Sequence, residues 1–176
     1  GSSLGAVNKG LTRLREEGYL ADDFILTEKA CHLMQQSRTK RAVILAAGPG
    51  MRMVPIHTQT TKGMLEIRGE CLVERLIRQL RAVGIYEILI VVGFMKEKYE
   101  YLMDKYQVRL IVNREYAEKN NLYSVALVGE FLDDAYIIPC DLWCRENPFR
   151  KYELYSWYMV SESEDFKSPV RVNRRR

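Results

Sequence analysis

In the N-terminal stretch, apolar residues return every three or four positions. Leu4, Val7, Leu11 and Leu14 fall on one side of a helix, the spacing at which side chains stack on a single face. Gly18 ends that run, since glycine takes the backbone conformation that closes a helix without a steric penalty. Residues 24–26 read as a short strand. Thr27 stands where an N-cap belongs, ahead of a second helix at residues 28–36 with Ala30, Leu33 and Met34 on its apolar side.

Past Arg41 the pattern changes to short, wholly apolar runs separated by amphipathic ones. Residues 41–46 predict a buried strand. Residues 72–83 place Leu72, Leu76, Ile77, Leu80 and Val83 on one helical face ending at Gly84, and residues 87–92 are a second apolar strand. A helix over 96–106, a strand over 108–112, a helix over 122–131 and a strand over 135–139 follow. Alternating strands and helices predict an α/β fold with a doubly wound, mostly parallel, Rossmann-like sheet. In such sheets ligands bind beyond the carboxyl ends of the strands. The change of pattern divides the chain into residues 1–39 and 40–176, with no internal repeat and no low-complexity segment.

The chain has 176 residues, 47% of them hydrophobic and 28% charged, enough for one ordinary domain with a small appendage and too apolar for a disordered segment. No apolar run approaches the ~20 residues of a membrane span. The start, GSSLGAVNKG, has neither the charged nor the apolar region of a secretory signal. A cytoplasmic protein without a membrane partner is expected. The net charge of +4 comes from the end of the chain: residues 167–176 carry five positive charges and no acid, and without them the balance is −1. Overall charge therefore gives no argument for nucleic acid. Cys31, Cys71, Cys140 and Cys144 form no CxxC pair and have only His32 and His57 for company, so reduced, mostly buried thiols are expected rather than a metal cluster.

The candidate chemistry lies just after the first strand, in AAGPGMRMVPIHTQTTKGML. Small residues at Ala46, Ala47, Gly48 and Gly50 let backbone N–H groups approach an anion closely. The Arg52 guanidinium can fork across two phosphate oxygens, and Lys62 can place a point charge on a third. Two other phosphate loops are excluded. A P-loop needs a lysine directly after its last glycine, and none follows Gly50; the dinucleotide fingerprint needs Gly or Ala where Met53 stands.

LAAGPGMRMVP, followed by HTQTTK and then GML, resembles the signature of the sugar-nucleotide nucleotidyltransferases, enzymes of GT-A-like fold. NREYAEKNNLYSV, with Asn113, Asn120, Asn121, Tyr123 and Ser124, and IIPCD, which ends a strand at Asp141, are similar to segments of the bacterial phosphocholine cytidylyltransferases within that family. The likeness covers residues 41–149. This chain departs from the pattern at Thr61, where the family usually has Pro or His before its lysine, and at Met51, where a small or polar residue is usual. Members of the family continue well past the position of Arg176, so the resemblance implies either a fragment shortened at both ends or a degenerate relative, the fragment being the expectation.

The resemblance implies transfer of CMP from CTP to phosphocholine with release of pyrophosphate. In that reading Arg52 holds the departing pyrophosphate, Lys62 bridges the acceptor phosphate and the α-phosphate, and Asp141 binds Mg²⁺. The backbone of Leu45, Ala46, Ala47, Gly48 and Gly50 lines the base and triphosphate, with Gly93, Asn121, Tyr123 and Ser124 as further nucleotide contacts. Trp143, Tyr155, Trp157 and Tyr158 are candidates for a quaternary ammonium headgroup, with Trp157 and Tyr158 on opposite faces of a strand. A sugar 1-phosphate or a phosphonate remains open as the phosphorylated acceptor. Residues 1–39 resemble the recognition helix and wing of bacterial winged-helix domains, with Lys9, Arg13 and Arg15 as possible phosphate contacts. This leaves open a transcriptional regulator that binds DNA and senses a nucleotide.

Overall fold

Four apolar runs pair side by side in one parallel sheet. In the computed structural model, which describes residues 3–50 and 59–159, β1 (Arg41–Ala46) lies between β4 (Glu87–Val92) and β6 (Ala135–Pro139). β5 (Arg109–Val112) flanks β4, giving the order β5-β4-β1-β6. Val43 stands opposite Leu89 on one side and Ile137 on the other. The chain therefore steps outward from β1 through β4 to β5, then returns to the far side of β1. The carboxyl ends of β1 and β6 flank the point where the strand order reverses.

Both faces of this sheet are covered. Ala42, Ile44, Ala46, Ile88, Ile90 and Val92 pack against α3 (Leu72–Ala82) and α4 (Tyr101–Tyr106), where Val73, Leu76, Ile77, Leu80 and Leu102 are buried. The alternate residues Val43, Leu89 and Val91 join Ala47 and Val128 in a second core on the opposite face. Burial on both sides is why β1 and β4 read as continuous apolar runs rather than alternating ones. The glycine at the end of α3, Gly84, has φ +84°, the left-handed turn its position predicted.

Several elements differ from the sequence reading. Residues 96–106 are not one helix: a 3₁₀ turn, Lys96–Tyr99, precedes α4. Tighter winding brings positions three apart into line, and it is Tyr99 and Leu102 that are both fully buried. Residues 122–131 likewise divide into α5 (Asn121–Ala126) and a 3₁₀ turn, Gly129–Phe131. Val128 turns between them into the second core. The sequence reading also passed over a hairpin, β2 (Glu66–Ile67) with β3 (Glu70–Cys71). Its two-residue turn has Arg68 at φ +55° and Gly69 at φ +76°, the paired positive values that suit a tight hairpin.

Ahead of the sheet, α1 (Leu4–Glu16) is capped by Ser3, whose hydroxyl accepts from the Ala6 N–H at 3.3 Å. Gly18 follows at φ +76°. Thr27 caps α2 (Glu28–Gln36) by accepting from the Ala30 N–H at 3.3 Å, and it also donates to the Gly18 carbonyl at 2.7 Å. Residues 24–26 form no strand. The chain makes a single antiparallel bridge, Leu20 with Leu26, and Phe24 turns at φ +65°. The Asp23 carboxylate accepts the Ile25 N–H, holding a local turn in place of a ladder. No residue of α1 is buried, and Leu4, Val7 and Leu14 are exposed. The segment after α2 is tied to the main body, as Thr39 N–H donates to the Lys151 carbonyl and Glu153 N–H to the Ser37 carbonyl, both at 2.9 Å. Trp157 and Tyr158, placed on a strand in the sequence, lie in a stretch with no regular element. Among the described residues no helix is long and apolar enough to cross a membrane.

Candidate functional site

Beyond β1 the chain runs through Ala47 and Gly48 to Gly50. Beyond β6 it runs through Cys140, whose N–H donates to the Leu45 carbonyl at 3.1 Å. That bond carries the strand pairing one residue further, so Asp141 emerges directly beside the glycine turn. Lys62 arrives from a separate loop and donates from Nζ to Asp141 Oδ2 at 2.8 Å. Its stem lies across Gly50, where a Cβ would come within 3.3 Å of Lys62 Cγ, and Gly50 holds φ +67°. A side chain at Gly50 would be strained and would displace the lysine. Gly50, Lys62 and Asp141 thus meet at the reversal point of the sheet. Arg52, with Met51, Met53 and His57, lies outside the described residues.

Lys62 opens a 3₁₀ turn, Lys62–Met64, closed by Met64 N–H donating to the Thr61 carbonyl at 3.1 Å. Its neighbours on both sides are buried. Thr61 is 3% exposed and its hydroxyl lies 2.7 Å from the phenol oxygen of the fully buried Tyr99. Gly63 packs so closely that a Cβ would sit 2.8 Å from the same phenol oxygen and 3.2 Å from Cys140 Cβ. The Cys71 thiol donates to the Gly63 carbonyl at 3.3 Å. Burial pushes the Cys140 thiol up to about 12, with the adjacent Asp141 carboxylate adding to the shift. At neutral pH Cys140 is therefore a packing thiol and no nucleophile. Sequence reasoning missed this support; the signal for it was the small residue directly after the lysine.

Among the other residues singled out by sequence, Leu45 is half-buried while Ala46 and Ala47 are buried, and Gly48 is exposed with nothing within 4 Å of a notional Cβ. Gly93 is buried: a Cβ there would lie 2.6 Å from Tyr116 Cβ and 2.8 Å from the Ala47 carbonyl oxygen. That carbonyl also accepts from the Phe94 N–H at 3.1 Å. Asn121 is exposed at the start of α5 beside the N-cap Asn120, whose side chain accepts from the Leu122 N–H. Tyr123 donates to the Glu115 carboxylate at 2.6 Å. Ser124 is 2% exposed, and its hydroxyl accepts from the Asn113 side-chain amide at 3.0 Å. Asn113, 1% exposed, also accepts from the Glu115 N–H. Ser124 therefore presents no surface to a ligand in this structure; with Asn113 it fixes the loop that presents Glu115, Asn121 and Tyr123.

The aromatic candidates separate into two places. Arg68 and Arg75 both approach the Trp143 ring, their guanidinium carbons 5.4 and 5.2 Å from its centre. Tyr155, Trp157 and Tyr158 line a cavity of about 710 Å³ along β6, together with Tyr136, Phe149 and Glu153. In the N-terminal element, Arg13 pairs with Glu17 at 2.6 Å, and Arg15 donates to the Asp22 carbonyl while stacking on Phe24. Both cations are engaged locally. Among the described residues no group of three or more His, Cys, Asp or Glu side chains gathers as a metal cage. A single exposed carboxylate at Asp141 does suit Mg²⁺, which is usually held by one or two carboxylates while substrate phosphates and water supply the rest.

The chain is 41% identical over 125 residues to choline-phosphate cytidylyltransferase of Streptococcus pneumoniae, an alignment covering 71% of this chain and 55% of that protein. Choline-phosphate cytidylyltransferase of Haemophilus influenzae is 40% identical over 119 residues, covering 68% and 51%. The solved structure of CTP:phosphocholine cytidylyltransferase from Streptococcus pneumoniae superposes with a TM-score of 0.63 at 42% identity, over 65% of this chain and 50% of that one. The chain spans about half the length of the curated relatives it matches. Residues 42–150, from β1 through the Asp141 loop, match the MobA-like NTP transferase domain, and it is to this family that the chain belongs.

Proposed function

We propose that the full-length protein is a cytidylyltransferase that transfers CMP from CTP to phosphocholine. The observation that carries this reading is the Lys62 ammonium held 2.8 Å from Asp141 across Gly50. A cation, a carboxylate and a glycine turn meet where a doubly wound sheet binds its ligands. The likeness to choline-phosphate cytidylyltransferases supports the choice of nucleotide and acceptor.

In the reaction an oxygen of the acceptor phosphate attacks the α-phosphorus in line. The bond from that phosphorus to the α–β bridging oxygen breaks, and pyrophosphate leaves with the bonding electrons. No covalent enzyme intermediate is needed, so the protein's work is to align two polyanions and stabilise charge as it redistributes. Lys62 exchanges its contact with Asp141 for phosphate oxygens and reduces the repulsion between the two anions. Asp141 would hold Mg²⁺, which when bound withdraws charge from the phosphates. The backbone of Leu45, Ala46, Ala47, Gly48 and Gly50 receives the nucleotide, with Arg52 on the departing pyrophosphate. Asn121 and Tyr123 border the nucleoside, with the Gly93 backbone as the contact for the base edge, while Ser124 acts through Asn113 by holding their loop. The activity belongs to residues 40–176 and whatever the full-length chain adds, with residues 1–39 as an appended element, in the cytoplasm.

The test is a panel of CTP, UTP, ATP and GTP against phosphocholine, a sugar 1-phosphate and 2-aminoethylphosphonate, read as pyrophosphate released by the full-length protein with Mg²⁺. CTP with phosphocholine should give the highest kcat/KM. A higher value for a sugar phosphate or phosphonate would change the acceptor, and no release with any pair would remove the activity.

A further inference from the structure

We infer that Tyr99 is a positioning residue for Lys62, acting through the hydroxyl of Thr61. A lysine ammonium ends a flexible four-carbon stem, so its place over a substrate depends on how firmly its backbone is held. Here the residues on both sides of Lys62 rest on one atom. Thr61 Oγ1 lies 2.7 Å from the Tyr99 phenol oxygen, and the same oxygen stands nearest to where a Cβ on Gly63 would be. Tyr99 is itself immobilised, being fully buried at the end of the 3₁₀ turn that follows β4. Its hydroxyl thus links the core of the sheet to the turn that presents Lys62, without touching the Lys62–Asp141 pair.

Thr61 is where this chain departs from the proline or histidine usual before the lysine in the resemblance noted above. A threonine there can meet a buried phenol, which proline cannot do through its side chain. Tyr99→Phe would keep the ring and leave the Thr61 hydroxyl buried with no partner. Such a group is costly to leave unsatisfied, so the turn would shift to find one. Lys62, the next residue, would move with it.

The inference rests on the proposed role of Lys62 only in its effect on turnover. Its geometric part is read independently by acetylating the full-length protein with an amine-reactive ester and following Lys62 by mass spectrometry, with Lys98 as an exposed reference. In the wild type, Lys62 is partly shielded, its side chain 24% exposed and its nitrogen engaged by Asp141. Thr61→Val and Tyr99→Phe should raise the Lys62 labelling rate several-fold relative to Lys98. Each should lower kcat by about 10- to 100-fold, the scale for a displaced catalytic group, with a smaller change in KM for the triphosphate. Thr61→Ser, which keeps the hydroxyl, should restore both. Wild-type labelling in the folded Thr61→Val and Tyr99→Phe proteins overturns the inference, whatever their turnover. If Tyr99→Phe does not fold, the Thr61→Val and Thr61→Ser pair decides. An inactive wild type with the labelling change present would remove the activity reading and leave the positioning intact.

Discussion

Asp141, just past the end of β6, holds the Lys62 ammonium at 2.8 Å although the two residues stand 79 positions apart in the chain. The contact joins the loop after β1 to the loop after β6, so each charge partly satisfies the other. In the proposed reaction a triphosphate takes Lys62 from Asp141, which would leave the carboxylate free to hold a cation.

Asp141→Asn keeps the size of the side chain and removes its charge. Turnover should fall by at least about 100-fold, the lower end of what losing a major charge-stabilising group costs. Raising Mg²⁺ should not restore it. A Mg²⁺ titration of pyrophosphate release reads this directly, and a variant with wild-type turnover would take Asp141 out of the chemistry.

Two glycines at the same end of the sheet should respond differently to an added methyl group. Gly93→Ala drives a Cβ to 2.6 Å from Tyr116 and 2.8 Å from the Ala47 carbonyl. Overpacking of this kind costs about 1–3 kcal/mol, visible as a lower urea midpoint. Gly48→Ala meets nothing within 4 Å and should leave that midpoint unchanged. It should instead raise KM for the nucleotide, because its methyl projects from the turn proposed to receive the triphosphate.

Asn113→Ala removes the amide that donates to Ser124 and the carbonyl that accepts the Glu115 N–H. A buried hydroxyl and a partly buried N–H then lose their partners, at a cost of about 1–3 kcal/mol for an unsatisfied buried group. Thermal or urea unfolding should show the loss. Ser124→Ala, which removes the acceptor and retains Asn113, should also destabilise the loop.

Cys140 has a pH signature. Its folded-state value near 12 stands above the ordinary thiol value of 9.0, so it contributes stability in full below pH 9. That contribution falls as the pH rises from 9 towards 12, where the unfolded chain ionises first. The buried Tyr99 phenol, also raised by burial, acts in the same direction at higher pH. Unfolding midpoints between pH 8 and 11 should decline, and Cys140→Ala should flatten the part due to the thiol. At pH 8 an alkylating reagent should label the exposed Cys31 and spare Cys140 until the protein unfolds.

The central sheet was legible because β1 and β4 are buried on both faces, and only continuous apolar runs survive there. That Lys62 and Asp141 meet at the carboxyl ends of β1 and β6 was legible from the motif and from the position of each residue after an apolar strand. The breaks at Glu100 and Val128 were not, because they depend on which side chain must turn into a core formed by distant segments. The hairpin of β2 and β3 has two residues in each strand, too few to show a period. The Thr61–Tyr99 contact was hidden for another reason: two ordinary residues 38 positions apart carry no mark of their pairing until the sheet brings them together.

The measurement that bears most directly on the account is pyrophosphate release by full-length Lys62→Ala beside the wild type, with CTP, phosphocholine and Mg²⁺ at saturation. The variant should unfold at nearly the wild-type temperature while its turnover drops by about 100- to 1,000-fold, the scale expected for a lost charge donor at a transferring group. A folded Lys62→Ala protein that turns over as fast as the wild type would contradict it.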